Sequence, residues 1–436
     1  MSSTPLEILR FVKDNDVKFI RLTFCDVYGT LKNIAVMPGE LERAFESGIP
    51  FDASSLGYGS TDLLLFPDFS TLSVLPWRPA SGRVVRFFCT LKNPDGTAYS
   101  GDMRTSLTEY INQLRLQGYS CEMGTRCEFY LFETDEHGRP TAIPHDTGGY
   151  LDVAPLDRCE NPRREICLSL EEMGFSPRSS CHKHGPGQNE IEFRENEPVT
   201  AADDMAHYKS VVKSIAAQSG LFASFMPLPP GCTHGSALTI SLSVKKSGEN
   251  IFSRTDGELP ETGKCFISGI LRRIPEMTAF LNPTVNSYRR FGTGYAPGKI
   301  TCSADSPLIR IPHIAGTEPR IEIRSADPAC DPYIAFKLLL AAGMEGIRSG
   351  DSSLYNDGGR VSSGAVGSSG KIFERLPDDP LTAVQLSTQS SFIRENLPDI
   401  VTELVLSRLS STAAGYTGLT PQQSEAADRT NYFEYL

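Results

Sequence analysis

The sequence predicts an α+β protein with a small N-terminal part and a larger C-terminal part. Residues 1–100 contain strand-like segments, a helical segment and a tight turn, a mixture typical of a small α+β unit. After Arg104, longer helical segments alternate with apolar segments of strand length. The chain has 436 residues, and this length allows roughly two to three domains. We therefore predict one domain at 1–100 and a second at 101–436.

Local signals predict the elements of the first part. Thr4 is a good N-cap and Pro5 suits the first turn of a helix, and the apolar spacing after them is helical. A segment rich in Gly, Ser, Asp and Pro is typical of a connecting or functional loop. The predicted elements are a helix at 4–14, strands at 17–24 and 84–89, a loop at 51–79 and a turn at 93–96.

The second part is predicted to be a mixture of strands and amphipathic helices. Leu107, Tyr110, Ile111 and Leu114 share one face of the first of these helices. Strands are predicted at 127–132, 189–194, 222–226, 237–244, 308–311 and 320–325. Helices are predicted at 106–117, 200–219, 262–281 and 332–347, and again in the tail from Leu376. Residues 349–370, rich in Gly and Ser, predict a mobile loop.

Two of the strands alternate in a way that indicates a polar face. In 237–244 the even-numbered residues are aliphatic and the odd-numbered ones include Thr239 and two serines. In the strand that begins at Arg320, the side chains of Arg320, Glu322 and Arg324 lie on one face, and two isoleucines lie on the other. Such a row of charges suits a pocket wall, but a solvated outer face explains it equally well.

Composition limits the classes of partner. The net charge of −11 argues against a broad nucleic-acid-binding face. No apolar stretch approaches the roughly 20 residues of a membrane span. The eleven cysteines form no CxxC pair and lie in apolar runs, which predicts free thiols in a reducing compartment. We therefore predict a cytoplasmic protein without a membrane or nucleic-acid partner.

Common catalytic motifs are missing from the sequence. Gly257–Cys265 contains a Gly-Lys pair, but its spacing does not match a phosphate-binding loop. Gly292–Gly298 lacks the strand and helix that a dinucleotide site requires. His182 and His184 would share one strand face and suit a metal, although a pair without further ligands is more often structural.

Several segments, in order and spacing, resemble the glutamine synthetase family. The segments are FDASS at 51–55, DLLLFPD at 62–68, 127–132, GQNE at 187–190, ASFMP at 223–227, NPTVNSY at 282–288 and RIEIRSADPACDPY at 320–333. The resemblance implies a small β-grasp-like domain followed by a catalytic domain on an antiparallel sheet. It also implies homo-oligomers of hexameric or stacked rings, with each active site completed by a neighbouring subunit.

The family implies a reaction in nitrogen metabolism. ATP phosphorylates the side-chain carboxylate of glutamate, and ammonia or an amine displaces the phosphate. Mg²⁺ or Mn²⁺ ions neutralise the charge that develops. ATP, a divalent metal and a glutamate-like small molecule are therefore the expected ligands.

The positions that match the family's metal ligands are altered. Three of the matching positions still carry glutamate, and the other three carry residues that are poor metal ligands. The retained residues are Glu128, Glu190 and Glu322, and the replacements are Arg126, Lys183 and Thr239. A protonated Lys or Arg offers no lone pair to a metal and repels it. We therefore predict that the normal pair of metal sites does not form, although His182, His184 and His234 could build a different single site.

Two catalytic segments are altered as well. The loop that carries a glutamate in the family reads Gly294-Tyr-Ala-Pro297, without a carboxylate. The arginine-rich segment before the strand at 308–311 is shortened to Asp305-Ser-Pro307. Both changes predict that the family's reaction is weakened.

The positions that match the family's acid-binding arginines are retained, whereas His234 stands where the family has an asparagine that contacts glutamate. Arginine side chains bind carboxylates through two parallel hydrogen bonds. The resemblance implies substrate-binding roles for Arg290, Arg310, Arg320, Arg324, His234 and Gly235, and catalytic roles for Asp52, Arg290 and Arg324. The arginines could equally pair with the three retained glutamates in a buried network.

Two functions therefore remain open. The resemblance implies descent from ATP-dependent glutamate–amine ligases, and the substitutions predict that ordinary glutamine synthesis is lost or much reduced. One possibility is a divergent enzyme that uses another amine or another activation chemistry. The other is a non-catalytic pseudoenzyme, which forms a scaffold or senses an amino acid.

Overall fold

The structure is a computed structural model, and two sheets organise it. It describes residues 4–58, 62–77, 81–291, 300, 307–312, 316–355, 365–366 and 372–436. The predicted loop at 294–297 and most of the one at 349–370 lie outside these residues.

The first sheet is small and mixed. Its strands are β1 (Val17–Cys25), β2 (Leu31–Val36), β3 (Ile49–Asp52), β4 (Asp62–Pro67), β5 (Ser73–Val74) and β6 (Arg83–Lys92). They run in the order β2-β1-β6-β4-β3, and β5 pairs with β6. The central pair β1–β6 is parallel, and the other pairs are antiparallel. This sheet confirms the small α+β unit; the domain boundary itself stays a prediction.

The loop predicted at 51–79 is partly wrong, because β4 and β5 lie within it. Leu63 and Leu65 alternate with outward-facing neighbours and are fully buried against the sheet. The surrounding Gly, Ser and Pro residues gave this segment the composition of a loop. Pairing with β6, which is distant in sequence, stabilises the strand instead.

The second sheet is larger, and its pairings confirm the predicted antiparallel architecture. Its strands are β7 (Tyr119–Thr134), β8 (Pro140–Pro144), β9 (Pro177–His182), β10 (Gln188–Phe193), β11 (Leu221–Ser224), β12 (Leu238–Lys246), β13 (Glu249–Asn250), β14 (Ile309–Arg310) and β15 (Ile321–Ile323). The main path is β14-β15-β12-β7-β10-β9. The long strand β7 therefore joins both halves of this sheet. Further along the chain, β16 (Ala365–Val366) and β17 (Ile372–Phe373) pair with each other.

The helices largely match their predicted positions. They are α1 (Pro5–Asp14), α2 (Leu41–Ser47), α3 (Met103–Leu116), α4 (Glu160–Glu172), α5 (Pro198–Gln218), α6 (Glu261–Leu281), α7 (Val285–Arg290), α8 (Pro332–Ser349), α9 (Pro380–Gln389), α10 (Ser391–Asn396), α11 (Asp399–Tyr416) and α12 (Pro421–Asp428). Thr4 caps α1 as expected, and the tail is helical. The sequence did not predict α4 or α7. Within the described ranges, no helix is both long enough and apolar enough to cross a bilayer.

Helices α6 and α8 approach at backbone distance through two glycines. A Cβ added at Gly269 would overlap the carbonyl oxygen of Ala342, and one added at Gly346 would overlap that of Cys265. Since both collisions involve backbone atoms, a rotamer change cannot relieve them. The close packing of these helices thus requires glycine at both positions.

Gly269→Ala is expected to destabilise the protein by about 2 kcal/mol or more, because overpacking a core typically costs 1–3 kcal/mol. Gly415→Ala is the matched control, since α11 leaves open space around that residue. In a helix, alanine is favoured over glycine by up to about 1 kcal/mol, so the control should be neutral or stabilising. Urea unfolding measures both, and equal effects would contradict the packing argument.

Candidate functional site

One cavity collects most of the residues that the sequence singled out. Its volume is about 320 Å³. The predicted residues on its wall are Arg126, Glu128, Lys183, Glu190, His234, Gly235, Thr239, Arg290, Arg310, Glu322 and Arg324. We call it the sheet cavity, because β7, β10, β12 and β15 contribute to its wall.

Lys183 lies between two glutamates at the centre of the sheet cavity. Strand register places Glu128 of β7 directly opposite Glu190 of β10, where two like charges would repel. Lys183 follows the end of β9, and its Nζ lies 3.2 Å from Glu128 Oε1 and 3.2 Å from Glu190 Oε2. The ammonium therefore occupies the space between the carboxylates.

Glu128 is held by further hydrogen bonds. Its Oε2 accepts from the backbone N–H of Ala237 at 2.8 Å and from Gln188 Nε2 at 3.4 Å. Gln188 also donates to the carbonyl of Gly235 at 3.1 Å, which ties β10 to the turn before β12. The carboxylate is thus fixed in place whether or not a ligand is present.

The pKa directions agree with an ion pair at this point. Burial opposes the charged form of Lys183, but Glu128 and Glu190 outweigh it and raise the pKa of Lys183 above its usual range. Burial also raises the pKa of Glu128, against the attraction of Lys183, and repulsion from Glu190 adds to the rise. The lysine therefore remains a cation at neutral pH.

Glu322 is surrounded by arginines. It is 1% exposed, and it pairs with Arg126 at 2.8 Å, Arg310 at 3.1 Å and Arg320 at 3.4 Å. Burial opposes the charge of Arg126, but Glu322, Glu190 and Glu192 together outweigh burial and raise the pKa of Arg126. The polar face of β15 is therefore a buried ionic network on the cavity wall, not the solvated outer face that was the alternative.

Arg126 and Thr239 face each other across the β7–β12 pair. Both line the cavity, and Thr239 is 7% exposed. The polar alternation predicted for β12 therefore places Thr239 on the cavity side. Its hydroxyl offers a metal only one weak oxygen ligand.

The sheet cavity is cationic. Its lining includes five cationic side chains, from four arginines and Lys183, and three glutamates. The wall thus carries an excess of two positive charges. An anion with one or two carboxylates would complement this charge.

Arg290 and Arg324 differ in how they are held. Arg290 is 1% exposed, and its Nη2 donates to Asn282 Oδ1 at 2.9 Å and to the carbonyl of Ser325 at 2.7 Å. No carboxylate among the described residues lies within ion-pair distance of Arg324. Burial lowers the pKa of Arg324, and the neighbouring Arg126 lowers it further. Arg324 is thus placed to take a carboxylate from a ligand.

Aromatic rings form another part of the cavity wall. The Tyr150 and His184 rings stack with centroids 4.5 Å apart, and His184 stacks on His234 at 6.0 Å. Lys183 Nζ lies 5.5 Å from the Tyr150 centroid. Sequence reasoning missed Tyr150 and assigned no role to Gln188, although Gln188 lies in the GQNE segment at 187–190.

Two predicted residues lie away from the cavity wall. Asp52 is exposed at the end of β3 and accepts hydrogen bonds from the backbone and hydroxyl of Ser54. Arg320 is buried and pairs with Glu195 at 3.4 Å as well as with Glu322. The catalytic role of Asp52 and the substrate-binding role of Arg320 stay predictions.

His182 does not join the other two histidines, so the alternative three-histidine metal site is wrong. Its Nε2 lies 3.0 Å from Asp146 Oδ1, and its Nδ1 lies 2.8 Å from the carbonyl of Lys183. Burial opposes the charged form of His182, but the hydrogen bonds to Asp146 and to the Lys183 carbonyl, together with the charges of Asp146 and Asp157, outweigh burial and raise the pKa of the imidazole.

The described residues nevertheless include a group whose atoms could hold a metal. Asp146, Asp157, Cys159 and His182 are all buried, and their ligand atoms lie within 4.8 Å of one another. Arg163 already pairs with Asp157 at 2.6 Å. The described residues therefore include a possible metal site outside the sheet cavity.

Lys183→Met is expected to cost about 3 kcal/mol of unfolding free energy in the presence of a chelator, because it leaves two facing buried carboxylates without a cation. Lys245→Met is the control, since its pair with Glu318 at 3.1 Å is partly exposed and is worth roughly 0.5 kcal/mol. Adding Glu190→Gln to Lys183→Met should recover part of the loss. A loss no larger than the control's would show that the central ion pair is not stabilising.

Comparisons with known proteins agree with the architecture. Residues 16–94 match the beta-Grasp domain of glutamine synthetase, and residues 100–405 match its catalytic domain. The glutamine synthetase of Clostridium saccharobutylicum is 42% identical over 354 residues, covering 79% of this chain and 80% of that relative. That of Methanosarcina mazei is 44% identical over 355 residues, covering 79% of each. A solved GmaS/ADP complex has a TM-score of 0.83 at 25% identity and covers 99% of both chains.

Proposed function

The chain belongs to the glutamine synthetase family, and from this we propose that it is a divergent member that binds a glutamate-like acid, with ordinary glutamine synthesis lost or much reduced. By descent it is a glutamine synthetase-like ligase. The observation that carries the proposal is Lys183, whose ammonium lies 3.2 Å from both Glu128 and Glu190.

The sheet cavity does not fit a pair of divalent metals. The family normally uses ATP and divalent metals, which neutralise the charge that develops during phosphoryl transfer. Here Lys183 stands between two of the carboxylates, and Arg126 pairs with Glu322 at 2.8 Å. A metal would have to displace these cations and would be repelled by them. We derive no catalytic step through metals at these positions.

The cavity fits a small acid instead. Its lining carries an excess of two positive charges, and Arg324 has no carboxylate partner among the described residues. Arg290 is held rigidly by Asn282 and Ser325, so it can contact a ligand without a large loss of side-chain entropy. A dicarboxylate of the size of glutamate would satisfy the charge of the wall.

The second candidate is a divergent ligase that still activates an acid with ATP. The likeness to a GmaS structure solved with ADP favours testing nucleotide binding. The two candidates differ in what they need: a sensor or scaffold binds the acid alone, whereas a ligase needs nucleotide. Calorimetry with Mg-ATP and Mn-ATP separates them, because a ligase gives heat of binding and a sensor gives none.

The assembly and location of the protein are also proposals. Family members form rings, and Asp52 lies on the exposed end of β3, where a neighbouring subunit's cavity could receive it. The exposed position of Asp52 suits a homo-oligomeric ring. We propose the cytoplasm as its location. Size-exclusion chromatography with light scattering tests the ring, and a monomer would contradict it.

Restoring the missing ligands should create metal binding in the sheet cavity. The triple variant Arg126→Glu, Lys183→Glu, Thr239→His replaces two cations with carboxylates and adds an imidazole. Titration calorimetry with Mn²⁺ should show at least tenfold tighter binding than in the wild type, or a site that the wild type lacks.

Adding Glu128→Gln is the control for location. In the triple variant it should abolish the new site, whereas any binding by the wild type should be insensitive to it. Wild-type Mn²⁺ binding that Glu128→Gln removes would contradict the proposal.

L-Glutamate or glutarate should raise the Tm of the wild type in the presence of a chelator. A ligand at a hundredfold excess over its Kd stabilises by about 2.7 kcal/mol. Arg324→Gln should abolish the shift, because it removes the cation that a ligand carboxylate would meet. Arg164→Gln, at an exposed position beside Glu165, should retain it. A flat Tm across glutamate, glutarate and succinate would argue against acid binding.

A further inference from the structure

The carboxylates on the wall of the sheet cavity are already paired with cations of the protein. Lys183 Nζ lies 3.2 Å from Glu128 Oε1 and 3.2 Å from Glu190 Oε2. Glu322 pairs with three arginines, at 2.8, 3.1 and 3.4 Å. These three glutamates are the carboxylates that the described part of the lining contains. A ligand ammonium would therefore meet no carboxylate there that lacks a cation.

The turn before β12 lines the same wall, and two of its carbonyl oxygens already accept hydrogen bonds. The carbonyl of His234 accepts from the Tyr130 hydroxyl at 2.6 Å, and the carbonyl of Gly235 accepts from Gln188 Nε2 at 3.1 Å. An ammonium carries three N–H donors and needs an acceptor for each. Each of these carbonyls has only its second lone pair left to offer.

The aromatic part of the wall does not replace these acceptors. A cation can bind over the face of a tyrosine ring. The Tyr150 ring, however, stacks on His184 with centroids 4.5 Å apart, and Lys183 Nζ already lies 5.5 Å from the Tyr150 centroid. A ligand ammonium over this ring would lie close to the ammonium of Lys183, and the two would repel each other.

The net charge of the wall favours a ligand without a cation of its own. The lining carries an excess of two positive charges. A plain dicarboxylate carries two negative charges and neutralises this excess, whereas an α-amino dicarboxylate carries only one net negative charge. Burial lowers the pKa of Arg324, and the positive charge of Arg126 lowers it further. A further cation brought in by the ligand would meet the same repulsion.

Building on the proposed function, namely acid binding in the sheet cavity, we propose that this cavity selects dicarboxylates without an α-ammonium group, of the size of glutarate, over amino acids such as glutamate. Lys183 is the residue that determines this specificity. It occupies Glu128 and Glu190, the two facing carboxylates that would otherwise accept hydrogen bonds from a ligand ammonium. Arg324 takes a ligand carboxylate in either case, so the two classes of acid differ only at the α-carbon.

The test compares glutarate, L-2-hydroxyglutarate and L-glutamate by titration calorimetry of the full-length protein in the presence of a chelator. The three acids share a five-carbon chain; the hydroxyl adds a polar group at the α-carbon without a charge, and the ammonium adds a charge. The wild type should bind glutarate and L-2-hydroxyglutarate with similar affinity and L-glutamate at least tenfold more weakly, because only glutamate brings a cation. Arg324→Gln should weaken the binding of all three, which locates them in the sheet cavity.

A variant without the lysine should lose the discrimination. The double change Lys183→Met, Glu190→Gln removes the cation and leaves Glu128 as a carboxylate that can accept from a ligand ammonium. It is used in place of Lys183→Met alone because it avoids two facing carboxylates without a cation. The affinity for L-glutamate relative to glutarate should rise at least tenfold over the wild-type ratio. Lys245→Met, whose pair with Glu318 is partly exposed, should keep the wild-type ratio.

The outcomes separate this inference from the proposed function. If the wild type binds L-glutamate as tightly as glutarate, and Arg324→Gln weakens both, the selectivity is overturned while acid binding stands. If L-2-hydroxyglutarate binds as weakly as L-glutamate, bulk and not charge decides, and the inference is overturned as well. An unchanged ratio in the folded double variant would overturn the role of Lys183. If none of the three acids binds, both proposals fail. The comparison of acids needs only the wild type, so it decides even if the double variant does not fold.

Discussion

The ion pair of Lys183 with Glu128 and Glu190 is the constraint on which the site depends. The register of β7 and β10 places the two carboxylates opposite each other in a buried sheet. This arrangement requires a cation, because like charges in a low-dielectric setting repel strongly. In metal-using relatives a divalent ion meets this need. In this chain the Lys183 ammonium lies between the two carboxylates, so the neutralising charge belongs to a side chain of the protein.

A built-in cation has a different consequence from a bound metal. A metal can bridge protein carboxylates and ligand phosphates at once, whereas Lys183 is occupied by its two glutamates. Glu322 is likewise occupied by Arg126, Arg310 and Arg320. The positive charge that remains is around Arg290 and Arg324. On the proposal made above, the cavity suits an acid better than metals and phosphates.

Much of the fold could be predicted from local patterns. The helices α5, α6 and α8 lie close to their predicted bounds, and the alternation in β12 identified the polar face that carries Thr239. The segment from Asn282 to Tyr288 specified the architecture, and the structure gives its physical role: Asn282 accepts a hydrogen bond from Arg290 at 2.9 Å. By contrast, β4 was hidden by loop-like neighbours, because its stability comes from pairing with the distant β6.

The site was only partly predictable. Substituted ligand positions were visible in the sequence, and they indicated which charges would meet. The sequence did not show which arginine pairs with which glutamate. Arg126 and Glu322 are distant in the chain, and they come into contact because β12 pairs with both β7 and β15. His182 was grouped with His184 by spacing, but the tertiary fold turns its ring towards Asp146.

The most direct measurement of the central claim is a crystal structure of the wild type grown with Mn²⁺, with anomalous diffraction used to locate the metal. Our interpretation predicts density for Lys183 Nζ between Glu128 and Glu190, and no anomalous peak there. A manganese peak between the two carboxylates, with Lys183 displaced from them, would contradict it.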